Sequence, residues 1–222
     1  MDLANCRLAE LLKPQGFKAK RNCFIRKTEC GALQFVKFEY EPWLSRNDLR
    51  IGLYSLYSEL NPHWLTPTGC ILHYPVVALA NKSKDETISR HTQLDVLQGL
   101  GIPWLNAMQT QRDLVDAMCE IEIRENGRIM WIDSLKLAPF LFCKDYVSAD
   151  HVIAAILQQH TGPAAWTTEP WSENDFEIYQ ERYPGKDLKL IKIHKWIRDR
   201  EHGFIESYLH DNFAQNSSIL KL

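Results

Sequence analysis

The sequence has no apolar run that approaches the ~18–20 residues of a transmembrane helix. Its most apolar stretch, residues 70–80, is interrupted by His73 and Pro75. The first residues also lack a basic segment followed by an apolar one, which is the pattern of a secretory signal peptide. We therefore expect a cytoplasmic protein without a membrane partner.

Glycine and proline are scarce, with 10 of each among 222 residues, and this excludes collagen-like and low-complexity chains. The six cysteines form no CxxC pair, so we expect free thiols rather than disulfides. A net charge of -2 argues against a strongly cationic nucleic-acid binder. Aromatic residues make up 11% of the chain, which excludes disorder and indicates an ordinary folded core.

Sequence motifs for catalysis and for cofactor binding are also missing. There is no GxSxG elbow, no HExxH zinc motif and no glycine-rich phosphate loop. His202, Glu206 and His210 share one helical face, but eight residues separate the histidines by ~12 Å along a helix axis. One metal ion cannot bind both, so we predict no cofactor, no metal site and no catalytic residue.

The first third of the chain predicts a helix followed by a small antiparallel sheet. Apolar residues from Ala4 to Leu12 have helical spacing, with Asp2 as a candidate cap and with Pro14 and Gly16 after the last turn. The period then changes to two in 36–40 and 49–53, which is typical of half-buried strands. A shorter strand at 23–26 and an edge strand within 71–79 would give three to four strands.

From about residue 86 the pattern is mostly helical, so the predicted class is α+β. Gly99 and Gly101 are expected to end one helix, and Ser148 is expected to cap another. Residues 120–132 fit either a hairpin turning at 126–127 or a helix–loop–helix, and we favour the helices.

The last quarter of the chain predicts one long helix after a linker. Residues 161–175 hold Gly162, Pro163 and Pro170 and are the linker candidate, which divides the chain into a domain at 1–160 and an extension at 176–222. The extension has an apolar stripe of helical spacing: Leu190, Ile193, Ile197, Phe204 and Tyr208. The stripe must be buried. We favour docking on the domain of the same chain, which gives a monomer; the alternative is pairing with a second copy, which gives a homodimer.

The N-terminal residues resemble a known family. The segment Leu12-Lys13-Pro14-Gln15-Gly16-Phe17-Lys18-Ala19-Lys20, followed by Phe24 and Arg26, resembles the LKPxGFKxK…FxR signature of a bacterial family of domains of unknown function. The similarity covers residues 1–120 and extends more weakly to 160. It implies an α+β fold and no established activity, so it assigns no site residue.

Charge is unevenly distributed, and this favours a binding function. Residues 1–27 contain seven basic and two acidic side chains, and a second basic run extends from Lys186 to Arg200. Two tryptophans lie in the linker candidate, where we expect their side chains to be exposed to solvent. The candidate partner surface comprises these residues: Lys18, Lys20, Arg21, Arg26, Trp166 and Trp171.

These features favour a non-catalytic binding module of the immunity or accessory type, with a protein partner. One alternative is a metal-dependent hydrolase or nuclease. It would use the carboxylate pairs Glu39/Glu41 or Glu120/Glu122, provided that each pair lies on one face of a strand. The other alternative is a weak nucleic-acid binder, although nucleic acid is the less expected partner.

Overall fold

The computed structural model describes residues 3–20, 23–41, 46–59, 72–75, 79, 89–124, 130–161 and 171–220. These residues form an α+β fold, in which an N-terminal helix and an antiparallel sheet precede a mostly helical half. The strands are β1 (Lys18–Lys20), β2 (Cys23–Lys27), β3 (Ala32–Glu41), β4 (Arg46–Ser55) and β5 (Leu72–Pro75). The helices are α1 (Leu3–Leu12), α2 (Arg90–Val96), α3 (Ile102–Asn106), α4 (Gln111–Arg124), α5 (Met130–Phe142), α6 (Tyr146–Thr161), α7 (Glu173–Arg182), α8 (Leu188–Arg198) and α9 (His202–Leu220).

The sheet is antiparallel, and its strands follow one another in sequence order from β1 to β5. The longest pair is β3–β4, in which Val36 lies opposite Ile51 and Phe38 opposite Leu49. The period-two pattern thus predicted both strands correctly. The predicted edge strand is also confirmed, since β5 is the last strand and ends at Pro75, which has no backbone N–H to donate.

Helix α1 ends where the sequence predicts. After Leu12 a 3-10 turn covers Lys13–Gln15, and Gly16 takes a left-handed conformation with φ 82° while its N–H bonds to the carbonyl of Lys13. Glycine adopts this conformation without the steric cost of a Cβ. The candidate cap Asp2 lies outside the described residues.

Buried polar side chains connect the sheet to the helices that follow it. Gln34 of β3 is fully buried and donates from Nε2 to the carbonyl of Leu105 at 2.7 Å. The side chain of Gln93 in α2 accepts from the N–H of Leu49. These bonds show that α2 contacts β4 and that the end of α3 contacts β3.

The prediction that Gly99 and Gly101 end a helix is wrong. Residues Leu97–Gly101 form a π-type turn, in which the N–H of Ile102 bonds to the carbonyl of Leu97, and the chain continues into α3. Gly101 has a helical φ of -68°. A Cβ on Gly101 would lie 2.9 Å from Cδ1 of Leu97, so glycine here permits close packing instead of ending the helix.

Ser148 is not the cap of its helix. Helix α6 begins two residues earlier, at Tyr146, and Asp145 supplies the cap because its Oδ1 accepts from the N–H of Ser148 at 3.2 Å. Aspartate and serine are both favoured at this position, which is why sequence alone did not separate them.

Residues 120–124 and 130–132 are helical, since α4 ends at Arg124 and α5 begins at Met130. The preferred helix–loop–helix interpretation of this segment agrees with these two helices. The Asn126–Gly127 turn itself lies outside the described residues.

The predicted long C-terminal helix is divided into α8 and α9. Helix α8 ends in a Schellman motif, because the N–H of Glu201 bonds to the carbonyl of Trp196 and that of Arg200 to the carbonyl of Ile197. Arg200 has a left-handed φ of 58°. No glycine or proline marks this break, so the sequence predicted a continuous helix.

The described residues divide into two compact units. The first contains the described residues of Met1–Leu56 and Leu60–Leu114, and the second contains Tyr57–Glu59 and the described residues of Val115–Lys221. The second unit has one apolar core with residues from both sides of the predicted linker, including Ile153, Leu157, Ile193 and Ile205. The predicted boundary at 161–175 therefore falls inside this unit.

Of the predicted linker, residues 162–170 lie outside the described part of the chain, and Glu173 already belongs to α7. Among the described helices, none has the length and apolar character required to cross a membrane. Five cysteines are described, and each is a free thiol: Cys6, Cys23, Cys30, Cys119 and Cys143.

Candidate functional site

Arg26, which the sequence places on the candidate partner surface, makes several contacts within the first unit. Its Nε and Nη2 donate to Oε1 of Gln34 at 2.9 and 2.6 Å, and Nη1 donates to the carbonyl of Gln15 at 2.9 Å. The guanidinium also lies 4.5 Å from the ring centroid of Phe17. Burial lowers the pKa of Arg26. These contacts connect β2 to β3 and to the 3-10 turn that follows α1. Arg26 therefore has a structural role.

The other predicted surface residues are spread over both units. Lys18 is exposed and Lys20 half-buried on the edge strand β1. Trp171 belongs to the second unit and is half-buried, with its ring 5.1 Å from that of Phe176. Arg21 and Trp166 lie outside the described residues.

The carboxylate pairs of the hydrolase alternative have different surroundings. Glu39 lies between two cations, with Oε1 3.0 Å from Nζ of Lys37 and Oε2 3.5 Å from Nε of Arg50. Glu120 and Glu122 belong to helix α4, where positions two apart do not share a face. The condition that this pair lies on a strand is therefore not met.

Two of the three candidate metal ligands of α9, His202 and Glu206, have partners of other kinds. His202 stacks on Tyr146, with ring centroids 4.5 Å apart, and Glu206 pairs with Lys144 at 3.4 Å. Across the described ranges, no group of three His, Cys, Asp or Glu side chains has an arrangement suited to a metal ion.

A buried histidine connects three helices of the second unit. His194 of α8 is 4% exposed, and its Nδ1 lies 2.6 Å from Oδ1 of Asp150 in α6. Its Nε2 lies 3.4 Å from Oε1 of Glu173 at the start of α7. Both ring nitrogens of His194 lie beside carboxylates, and none of these three residues is a Ser, Thr or Cys nucleophile. The group therefore resembles a structural contact between helices more than a nucleophile–base pair.

The turn between α8 and α9 carries a group of aromatic and basic side chains. Trp196 near the end of α8 stacks on Phe204 in the first turns of α9, with ring centroids 5.6 Å apart and planes 18° from parallel. Nζ of Lys192 lies 5.1 Å from the Trp196 ring. The two rings lie on either side of the Schellman turn at Arg200, in α8 and in α9.

Lys192 and Trp196 are four residues apart and Lys195 is three residues from Lys192, so these side chains occupy neighbouring positions on one face of α8. Leu188, one turn before Lys192, is 63% exposed, and Phe204 is 56% exposed. We define the aromatic corner as Lys192, Lys195, Trp196, Arg200 and Phe204.

Several charges beside the aromatic corner are already paired. Arg198 bonds to both oxygens of Asp199 and to Oε2 of Glu173, and these hydrogen bonds lower the pKa of Asp199. Lys189 pairs with Glu59, which also accepts from Tyr208 at 3.4 Å. Burial and the Glu59 charge raise the pKa of the Tyr208 hydroxyl.

Two cations of the aromatic corner, Lys192 and Arg200, form no ion pair within the described part of the chain. The charge of Lys195 contributes to the lowered pKa of the Asp199 carboxyl, to which Arg198 also bonds. Residues 192–201 contain four basic and two acidic side chains, which leaves a local excess of positive charge. The corner can therefore offer an apolar contact and an electrostatic attraction to an anionic group at the same place.

The sequence predicts part of this site, because it contains the basic run from Lys186 to Arg200. The prediction that Phe204 lies in a buried stripe is wrong, since Phe204 is 56% exposed. The turn at 199–201 interrupts the helix on which that stripe was based. Comparisons with known protein families, curated proteins and solved structures found no match for this chain, so a function must be argued from the geometry of the site.

Proposed function

We propose that this protein is a non-catalytic, cytoplasmic binding module of the immunity or accessory type. Its aromatic corner would dock an acidic segment of a partner protein. The observation that carries the proposal is the stack of the half-buried Trp196 on the exposed Phe204 beside Lys192, a cation without a carboxylate partner among the described residues.

Binding at such a corner has a clear physical basis. Aromatic and arginine side chains dominate the energetics of protein interfaces because they bury large areas with few rotatable bonds. Phe204 and Leu188 are both more than half exposed, so a partner would remove their apolar surface from water. The lysines would attract carboxylates and set the orientation of the segment.

The experiment is a selection from a random peptide library displayed on phage, with the purified full-length chain as bait. We expect enrichment of peptides that combine Asp or Glu with apolar residues. Phe204→Asp and Lys192→Glu should each lower the affinity for the enriched peptides by about tenfold or more. The matched control is Leu100→Asp, an equally simple change at a residue 46% exposed in the first unit, which should bind as the unaltered chain does.

Two results would contradict the proposal. One is the absence of enriched peptides, or enrichment that Phe204→Asp leaves unchanged. The other is tighter binding of a fluorescent single-stranded oligonucleotide than of any peptide at physiological salt. That result would favour the nucleic-acid alternative, and its affinity should then fall steeply with added salt.

A further inference from the structure

Three residues other than glycine adopt a left-handed backbone conformation among the described residues of the second unit: Lys144, Asp187 and Arg200. This conformation brings Cβ too close to the backbone of an L-residue, so glycine or asparagine usually occupies it. Lys144 and Arg200 hold equivalent places, since each follows the end of a helix in a Schellman motif. A side chain at such a position costs stability unless it makes a useful contact.

Two of the three side chains have contacts within the chain. Nζ of Lys144 lies 3.4 Å from Oε1 of Glu206, and Oδ2 of Asp187 accepts from the hydroxyl of Tyr179 at 2.5 Å. The Arg200 side chain is exposed and has no such partner in the described ranges. Its unfavourable backbone conformation is therefore not offset by an internal contact.

The position of Arg200 in the fold explains why a side chain other than glycine is kept in this left-handed conformation. It lies in the turn between Trp196 and Phe204, the two stacked residues of the aromatic corner. A guanidinium binds a carboxylate through two parallel hydrogen bonds, which a lysine ammonium cannot do. We infer that Arg200 is the residue that recognises a carboxylate of the partner segment. This inference rests on the proposed function and deepens it.

The test compares Arg200→Gly with Lys144→Gly, because both replace a left-handed basic residue after a helix end. Each should remove backbone strain, and Arg200→Gly should raise the melting temperature by about 2–4 °C. The probes are the acidic peptides selected by the unaltered full-length chain. Arg200→Gly should bind them about tenfold more weakly or worse, whereas Lys144→Gly should bind them normally.

Two further measurements identify the recognised group. Arg200→Lys keeps the charge but loses the planar fork, so it should recover only part of the affinity. When the peptide's Asp or Glu is replaced by Asn or Gln, Arg200→Gly should no longer weaken binding, because a double-mutant cycle isolates the pair.

The outcomes separate the two proposals. If Phe204→Asp abolishes binding but Arg200→Gly binds as the unaltered chain does, the role of Arg200 is wrong and the proposed function stands. If the unaltered chain selects no peptide, the proposed function fails and the role of Arg200 fails with it. If Arg200→Gly melts at a lower temperature, the Arg200 side chain stabilises the fold, and the inference is overturned.

Discussion

The imidazole of His194 lies parallel to the ring of Phe176, with centroids 3.6 Å apart and planes within 10°. The stack joins α8 to α7, and the bond from His194 to Asp150 joins α8 to α6. A buried ring nitrogen needs a hydrogen-bond partner, since water is excluded from it. The aromatic corner is therefore carried by a helix whose opposite side is fixed to two others.

Removing the partner of this histidine should destabilise the second unit. Asp150→Ala leaves Nδ1 of the buried His194 without its acceptor, which we expect to cost about 1–3 kcal/mol in the free energy of unfolding. His151→Ala alters the next, exposed residue of the same helix and should change stability by less than about 0.5 kcal/mol. Urea unfolding measures the free energy of unfolding of both variants. Equal losses for Asp150→Ala and His151→Ala would contradict the structural role of the His194–Asp150 contact.

The sequence carries a signal for the burial of His194. Leu190, Ile193 and Ile197 predict a buried stripe, and His194 lies on the same helical face, one turn after Leu190. A polar residue inside an apolar stripe indicates a buried hydrogen bond. Its partners Asp150 and Glu173 are distant in the sequence, so only the packing of α6 and α7 on α8 identifies them.

Apolar spacing in the sequence predicted the helices and strands well where burial of one face determines the structure. The alternation in β3 and β4 was sufficient because each strand has one buried face. The pattern failed at Gly99, Gly101 and Arg200, where the outcome depends on backbone hydrogen bonds rather than on apolar spacing. The aromatic corner depends on the turn at Arg200, so it could not be predicted before that turn was known.

A second prediction concerns Gly52 of β4, which lies opposite Phe35 of β3. A Cβ on Gly52 would overlap the Phe35 ring, which is 4% exposed and so has little room to move. Gly52→Ala should therefore lower the free energy of unfolding by about 1–3 kcal/mol.

The matched control for Gly52 is Gly99→Ala. No atom lies within 4 Å of a Cβ built at Gly99, and that residue is helical, so alanine should stabilise by up to about 1 kcal/mol. Thermal unfolding of the two variants should show shifts of opposite sign. A stabilising effect of Gly52→Ala would mean that Phe35 adopts another rotamer without cost.

A third prediction concerns the start of α7, where Ser172 and Asp175 form a reciprocal capping box. Hydrogen bonds from the Ser172 hydroxyl and backbone lower the pKa of Asp175 below its usual value. The folded state therefore binds this proton more weakly than the unfolded state does. The stabilisation is complete above the unfolded pKa and is lost as pH falls through the folded pKa.

Asp175→Ala should consequently destabilise the protein at pH 7 by about 0.5–2 kcal/mol, as for other lost caps. The difference from the unaltered chain should shrink as pH falls below about 4. Glu177→Ala, an exposed change on the same helix, is the control and should show no comparable loss at pH 7. A difference for Asp175→Ala that is constant from pH 7 to acid would contradict the role of the ionised carboxylate.

The last prediction concerns alkaline pH and the bond from Tyr179 to Asp187. Tyr179 is 3% exposed, and burial raises the pKa of its hydroxyl, with a further contribution from the hydrogen bond to Asp187. The folded state holds this proton to higher pH than the unfolded state. Its stabilising effect is complete below the unfolded pKa of about 10 and is lost as pH rises above it.

Tyr179→Phe removes both the hydrogen bond and the ionisable group. At pH 7 it should cost about 0.5–1.5 kcal/mol, because Asp187 loses its donor. Between about pH 9 and about pH 11 the unaltered chain should lose stability faster than the variant, so the difference should narrow. The control is Tyr40→Phe, at a tyrosine that is 56% exposed. It measures the effect on stability of removing the hydroxyl from an exposed tyrosine. If urea unfolding shows that the cost of Tyr179→Phe grows with pH, the hydroxyl is not held protonated by the fold, and the account of this bond is wrong.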